Sequence, residues 1–237
     1  MTAQADSSPA ASNSNRRVAA LVPVKSPSRA KTRLSPVLEP DECARLCMAM
    51  LTDVLEALGA SGSVDEVLVV TSDEDVAEFA HNAGHQVLHD NGADLCAALD
   101  MAAAELARQS FTTALILPAD MPTVTADDID TLLARHDAGL SISPAIRDGG
   151  TNALICSPPD AVAFCFGKNS ADRHMHEAEQ AGVPHSRLPM PAFFRDVDLP
   201  DDLAWLSTQS GAAHTVSFLQ RSGIGARIAA TVLSNPS

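Results

Sequence analysis

The sequence predicts an α/β domain built on a largely parallel sheet with helices on both faces. Three observations lead there. Apolar, strand-like runs alternate with amphipathic helical stretches through the first half of the chain. The run Thr112-Thr-Ala-Leu-Ile-Leu117 is too short for a helix and apolar enough for a strand buried on both faces. That run leads into Pro118-Ala-Asp-Met-Pro122, placing Asp120 where the chain leaves the sheet, the edge at which open α/β sheets bind ligands.

The elements follow in order. Val18-Ala-Ala-Leu-Val-Pro-Val24 reads as the first strand. Pro40 and Asp41 open a helix carrying Leu46, Met50, Leu51, Val54 and Leu58 on its apolar stripe. Val67–Val70 is a second strand, and Ser72-Asp-Glu-Asp75 has the form of a capping box for a helix through Ala80. Gln86–Leu88 is a short strand, followed by a helix from about Ala93 to Gln109. The Asp120 strand comes next, and Thr125-Ala-Asp-Asp128 caps a helix over Ile129–Arg135. Leu140–Ser143 and Ala153–Cys156 read as strands flanking Arg147-Asp-Gly-Gly150. A helix is expected over Ala171–Ala181, a strand over Phe194–Val197, and a helix from Asp201 to Leu206. Residues 1–16 form a polar tail without periodicity and are expected to be disordered. Residues 17–208 hold the domain, and 209–237 form an extension whose apolar Val216-Ser-Phe-Leu219 has no assigned role.

The 237 residues suffice for one large core. A net charge of −14 excludes a phosphate-backbone partner, since nucleic acid demands clustered cations. The lack of Tyr and the single Trp, Trp205, exclude a base-stacking platform. Five cysteines form no CxxC pair, and Cys43 and Cys47 suit small buried side chains on one helix face, in keeping with reduced thiols. No apolar run has the length of a membrane span, so the protein is expected to be soluble and cytoplasmic, with no membrane partner.

In so acidic a chain, the cations of Lys25-Ser-Pro-Ser-Arg-Ala-Lys-Thr-Arg33 stand out. Lys25, Arg29, Lys31 and Arg33 follow the first strand's carboxyl end, where they suit a triphosphate. Asp120 is a hard oxygen ligand suited to Mg²⁺ on nucleotide phosphates. Gly149-Gly-Thr-Asn152 lets backbone approach an anion and offers Thr151 and Asn152 as hydrogen-bonding groups. Gly167 and Ser170, with the amides at the start of the following helix, form a second anion-binding element. His174 on that helix reads as a supporting group more than as a general acid. Asp196-Val-Asp198 places alternate carboxylates on one face of a strand end, where they complete the metal set begun by Asp120. Asp201 and Asp202 are explained as first-turn residues favoured by the helix dipole.

With these elements in this order, the sequence resembles the 2-phospho-L-lactate/phosphoenolpyruvate guanylyltransferases (CofC/FbiD) of deazaflavin coenzyme (factor 420) biosynthesis. The matching stretches are Val22-Pro-Val-Lys25, Ala30-Lys-Thr-Arg-Leu34, Leu117-Pro-Ala-Asp-Met-Pro122, Gly149-Gly-Thr-Asn-Ala-Leu154, Phe166-Gly167 with Ser170 and His174, and Asp196-Val-Asp198 with Pro200-Asp-Asp-Leu203. They cover roughly residues 18–206. The resemblance implies a three-layer, Rossmann-like nucleotidyltransferase of the glycosyltransferase-A and molybdopterin-guanylyltransferase type.

It implies transfer of GMP from GTP to 2-phospho-L-lactate, phosphoenolpyruvate or 3-phospho-D-glycerate, with Mg²⁺ as cofactor and release of pyrophosphate. Thr151, Gly167 and Ser170 would bind the acceptor, helped by Asn152 and His174. Lys25, Lys31, Arg33 and Pro118 would face the nucleotide, and Asp120 and Asp198, with Asp196, the metal. A downstream transferase or a second copy of the chain is the expected protein partner. The chain departs from the family at Asp94-Leu-Cys-Ala97, where members carry Gly-Leu-Asn-Ala near the nucleotide, so that Asp94 and Cys96 replace glycine and asparagine. Two rivals follow: a nucleotidyltransferase using another NTP or acceptor, and a nucleotide-binding regulator without chemistry. The loop Gly-Gly-x-Ser/Arg-x-Met-Gly of molybdopterin and sugar-phosphate enzymes is missing after the first strand.

Overall fold

The computed structural model describes residues 16–27, 30–90, 94–209, 211–225 and 227–228. The tail expected at the amino terminus, apart from Arg16, lies outside the described residues. Seven strands are β1 (Val18–Pro23), β2 (Glu66–Thr71), β3 (Gln86–His89), β4 (Thr113–Ile116), β5 (Gly139–Pro144), β6 (Thr151–Ser157) and β7 (His185–Arg187). Seven helices among the described residues are α1 (Pro40–Ala60), α2 (Glu74–Asn82), α3 (Leu95–Arg108), α4 (Ala126–Arg135), α5 (Ser170–Gln180), α6 (Pro200–Leu206) and α7 (Ala213–Arg221). No helix among the described residues is long and apolar enough to cross a membrane.

The strands form one sheet in the order β3-β2-β1-β4-β6-β5-β7. All neighbours pair parallel except β6, which runs against both β4 and β5. The two-residue period of a strand sorts β1 between the layers. Val18, Ala20 and Val22 pack toward α1, α2 and α4, whereas Ala19 and Leu21 pack toward α3 and α5. This is the three-layer arrangement expected, and β4 is buried at every residue.

Local chemistry explains the helix starts. Pro40 occupies the first turn of α1, where its missing N–H is no loss. Thr125 and Asp128 exchange reciprocal bonds at the head of α4. The cap of α2 is Asp73, whose carboxylate accepts from the Val76 amide. The box expected from Ser72 to Asp75 does not form, because the cap lies one residue later and places Val76, which has no side-chain acceptor, in the returning position. Asp94 caps α3 by accepting from the Cys96 and Ala97 amides.

Two expectations in the second half are corrected. Phe194–Val197 is not a strand, because its backbone bonds run to different parts of the chain. Phe194 O accepts from Ile146 N, Val197 N donates to Asp120 O, and no ladder can form. The edge strand is instead His185–Arg187, exposed at all three residues and without an apolar face to reveal it. Asp196 and Asp198 therefore lie on an irregular segment, not on one strand face.

A third cluster buries Leu34, Leu46 and Met50 with Val197, Leu203 and Leu206 of the α6 region and Leu219, Ile224 and Ile228 beyond it. The described part of the segment after residue 208 thus packs against α1. Asp53 holds the head of α7, accepting from His214 N, Thr215 N and Thr215 Oγ1.

Candidate active site

The carboxyl ends of β1 and β4 and the amino end of the reversed strand β6 meet at one rim of the sheet. A cavity of about 430 Å³ opens there, lined by Lys25, Lys31, Pro118 and Asp120, by Asp198, and by the apolar Met50, Leu95 and Phe166. Lys25 is exposed at the mouth, directly after β1. Lys31 lies deeper, in the left-handed region at φ 54°, which non-glycine residues seldom adopt.

The Lys31 ammonium is shared between two carboxylates. It donates to Asp120 Oδ2 at 2.7 Å and stands 3.6 Å from Asp198 Oδ1. Burial opposes its charge, but Asp120, Asp198 and Asp196 together raise its pKa. Arg33, 68% exposed, pairs with Asp198 Oδ2 at 2.8 Å. Two of the cations expected to face a triphosphate are thus turned onto acidic groups, and Arg29 lies outside the described residues.

Asp196 is half-buried, and burial together with the charge of Asp120 raises its pKa. Among the described residues, only Asp53, Glu56 and His214 form a trio of possible ligands whose atoms all lie within 4.8 Å of one another. Asp196 therefore does not close a tight three-carboxylate set with Asp120 and Asp198. The Asp53 trio is occupied in holding α7. The Asp120–Asp198 pair nonetheless fits a hard dication. It already clasps a cationic nitrogen, and Mg²⁺ is commonly held by one or two carboxylates plus substrate phosphates.

Beyond Phe166, whose ring meets the His174 ring edge-on at 4.9 Å, Thr151 begins β6 and Ser170 begins α5. Their hydroxyl oxygens lie 2.9 Å apart, both residues being buried. His174 completes the group: its Nε2 accepts from Cys165 N at 2.8 Å, and its Nδ1 lies 3.3 Å from Thr151 Oγ1. An Nε2 that accepts leaves Nδ1 to carry the proton and donate to Thr151. Burial, then Arg173, pushes the His174 pKa down to about 4, so the ring is neutral near pH 7. His174 thus joins the Thr151 hydroxyl to the Cys165 amide.

The amides around this turn are engaged within the protein. Asn169 N donates to Asp148 O, Ser170 N to Gly167 O, and Ala171 N to Gly149 O. The open helix start expected as an anion cradle is thus closed by the 148–149 turn. Asn152 Nδ2 donates to Phe193 O, which gives that side chain a buried structural bond. Exposed at this rim are Gly167, at φ 118°, Lys168 and Arg173.

Asp94 and Cys96 sit at the head of α3, beside the cavity-lining Leu95. The carboxylate of Asp94 is spent on two helix amides, which accounts for an acidic residue there. All five cysteines are free. Burial raises the pKa of Cys47 to about 11, which keeps it a neutral thiol on the cavity wall.

Sequence reasoning missed Asp202. It is fully buried and bonds Arg147 and Arg195 as well as the amides of Asp198 and Leu199. Its position in the first turn of α6 gave a sufficient local reason for an acid, so nothing in the sequence marked it further.

A family model described as guanylyl transferase CofC like matches residues 18–233. A phosphoenolpyruvate guanylyltransferase of Sphaerobacter thermophilus is 39% identical over 189 residues, covering 79% of this chain and 91% of that protein. A 2-phospho-L-lactate guanylyltransferase of Methanothermobacter thermautotrophicus is 36% identical, covering 86% and 91%. A 3-phospho-D-glycerate guanylyltransferase of Colwellia psychrerythraea is 31% identical, covering 80% and 91%. Among solved structures, a protein of Desulfovibrio desulfuricans G20 assigned to the nucleotide-diphospho-sugar transferases superimposes with a TM-score of 0.73 at 21% identity, over 90% of this chain and 97% of its own. A nucleotidyl transferase of Methanothermobacter thermautotrophicus gives a TM-score of 0.60 at 17% identity, over 86% and 99%. At these identities the structural likeness speaks for the fold.

Proposed function

We propose, since this chain belongs to the CofC-like guanylyl transferase family, that it transfers GMP from GTP to a small phosphorylated carboxylic acid and releases pyrophosphate. The acceptor class comprises phosphoenolpyruvate, 2-phospho-L-lactate and 3-phospho-D-glycerate, the substrates named for its relatives. The observation that carries the reading is the Lys31 ammonium held between Asp120 and Asp198 in a cavity at the sheet's carboxyl edge.

In this reading a phosphate oxygen of the acceptor attacks the α-phosphorus of GTP. A new P–O–P bond forms, and the bond to the β-phosphate's bridging oxygen breaks. A phosphate monoester is largely dianionic near pH 7, its second pKa being about 6, so no general base is needed. That agrees with the buried His174, which lies below the hydroxyl pair.

The residues divide the remaining work. Asp120 and Asp198 would hold Mg²⁺, which when bound neutralises the reacting phosphates. Lys31 reaches any phosphate set against the same carboxylate pair. Lys25 and Arg33, both exposed at the mouth, meet the leaving pyrophosphate. Leu95 and Phe166 give the cavity an apolar wall suited to a base or ribose face. Thr151, Ser170 and Gly167 take the acceptor. Catalysis then comes from placement and charge neutralisation, as in other phosphoryl transfers.

The test is pyrophosphate release with Mg²⁺, each of the four common NTPs and each of the three acceptors. Release that requires GTP and one acceptor supports the reading and names the substrate. Release with ATP, CTP or UTP instead points to Asp94 and Cys96, and silence from folded protein removes the reading.

A further inference from the structure

Asp201 and Asp202 are neighbours with opposite fates. Asp201 is exposed in the first turn of α6, whereas Asp202 is fully buried and uses both carboxylate oxygens. Oδ1 accepts from Arg147 Nη2 at 2.5 Å and from Arg195 Nε at 2.9 Å. Oδ2 accepts from Asp198 N at 3.0 Å and from Leu199 N at 2.7 Å. A carboxylate has about four lone-pair sites, and all four are engaged here. Burial alone would raise this pKa, but the bonds from Arg147, the two amides and Arg195 hold it below the usual range.

The partners are not arbitrary. Asp198 carries one of the two carboxylates that clasp Lys31, and its backbone N–H is the group that Asp202 fixes. The same irregular segment is pinned to the other carboxylate's chain by Val197 N donating to Asp120 O at 3.0 Å. Arg147 belongs to the turn that runs into Gly149, Gly150 and Thr151. That turn closes over the head of α5 through Asn169 N to Asp148 O and Ala171 N to Gly149 O. A single buried carboxylate thus joins the Asp198 segment to the turn that leads into Thr151 and bonds the head of α5.

We infer that Asp202 is a positioning residue: it sets the Asp198 carboxylate for cation binding and, through Arg147, sets the turn that presents the acceptor-facing groups. The inference rests on the guanylyl-transfer reading, which stands or falls on the wild-type protein alone. Asp202 touches no substrate in this scheme. Its effect passes through two arms, one to the cation pair and one to the acceptor turn, and the arms are separable by substitution.

In Asp202→Asn one acceptor oxygen becomes an NH₂ group that only donates; the remaining oxygen stays with the two charged guanidiniums, and the Asp198 and Leu199 amides lose their acceptor. Mn²⁺ binding, read by electron paramagnetic resonance with the α,β-methylene analogue of GTP present, is expected to weaken at least tenfold. Arg147→Gln leaves the Asp198 and Leu199 bonds to Asp202 in place. It is expected to keep Mn²⁺ affinity within twofold of wild type while raising the acceptor KM at least fivefold. Folded Asp202→Asn with wild-type Mn²⁺ affinity overturns the first arm, and an unchanged acceptor KM in Arg147→Gln overturns the second. If Asp202→Asn does not fold, wild-type amide exchange decides the first arm. Protection of Asp198 and Leu199 N–H comparable to the α6 interior supports it, and exchange at loop rates overturns it.

Discussion

Lys31 Nζ lies 2.7 Å from Asp120 Oδ2, and the lysine side chain is only 11% exposed. A cation and a carboxylate whose places in the chain suggest service to different phosphates are each other's partner. Charge balance at this rim is thus kept by the protein itself before any substrate arrives.

Replacing Lys31 by Met keeps most of the stem and removes the charge. The expected outcome is a fall in kcat of at least a hundredfold with the far-ultraviolet circular dichroism unchanged. Turnover within threefold of wild type would remove Lys31 from the reacting phosphates.

Asp120→Asn is expected to lower pyrophosphate release by two to three orders of magnitude, on the scale seen when one electrostatic contact to a transition state is lost. The side chain is 28% exposed, so folding should survive. Wild-type rates from the folded variant would end the metal assignment.

Thr151→Val preserves shape and deletes the hydroxyl that meets Ser170 and His174. Leaving those buried groups a partner short should cost about 1–2 kcal/mol of stability. The acceptor KM is expected to rise at least tenfold while the GTP KM stays within twofold. Equal rises in both constants would show that Thr151 does not read the acceptor.

Acid should weaken the fold before its carboxylates titrate. Burial, then the charge of Arg16, pushes His136 down to about 4, the same value as the buried His174. Their unfolded pKa is about 6.5. Between pH 4 and 6.5 the unfolded chain therefore binds more protons than the folded one. The stability from these groups is complete above pH 6.5 and is lost as pH falls toward 4. Two such groups give a slope approaching about 2.7 kcal/mol per pH unit. Urea unfolding at pH 7, 6 and 5 measures it, and a flat profile would contradict both environments.

Two glycines give opposite expectations. A Cβ on Gly139, at φ 68°, would lie 2.0 Å from Pro184 O, the carbonyl that accepts from Leu140 N. Gly139→Ala should cost at least about 2 kcal/mol and loosen β7 from β5. Gly59, exposed near the end of α1, has nothing within 4 Å of the point where a methyl group would stand, and Gly59→Ala should add about 0.5–1 kcal/mol. Denaturation midpoints that move the same way would refute the contrast.

Much of the scaffold could be read from residue order. β4 is buried throughout because both its faces are covered, and Thr125 and Asp128 cap α4 as their spacing suggested. What escaped depends on partners distant in the chain. β7 is three exposed polar residues that form a strand only because β5 offers an edge. Phe194–Val197 looks like a strand until its amides and carbonyls are given to separate loops. The same limit applies to the site. Asp120, Asp198, Thr151 and Ser170 were found as types of group in telling places. Their bonds to Lys31, to His174 and to one another are long-range contacts that no local pattern encodes.

Strand β6 runs against its neighbours β4 and β5, and so Thr151 at its beginning arrives at the rim where the other strands end. That reversal divides the polypeptide into two separate contributions. In the proposed reading, residues before β5 would supply Lys25, Lys31, Arg33 and Asp120 from the junctions that follow β1 and β4. Residues after it would supply the acceptor side from a hairpin and the turn behind it, and Asp198 would return to the donor side. On that reading, mutation could remodel the hairpin lip and leave Lys25, Lys31 and Asp120 untouched as long as Arg147 and Asp202 keep their bond. A lineage built this way would exchange one small acid for another without having to reinvent how a nucleotide is held.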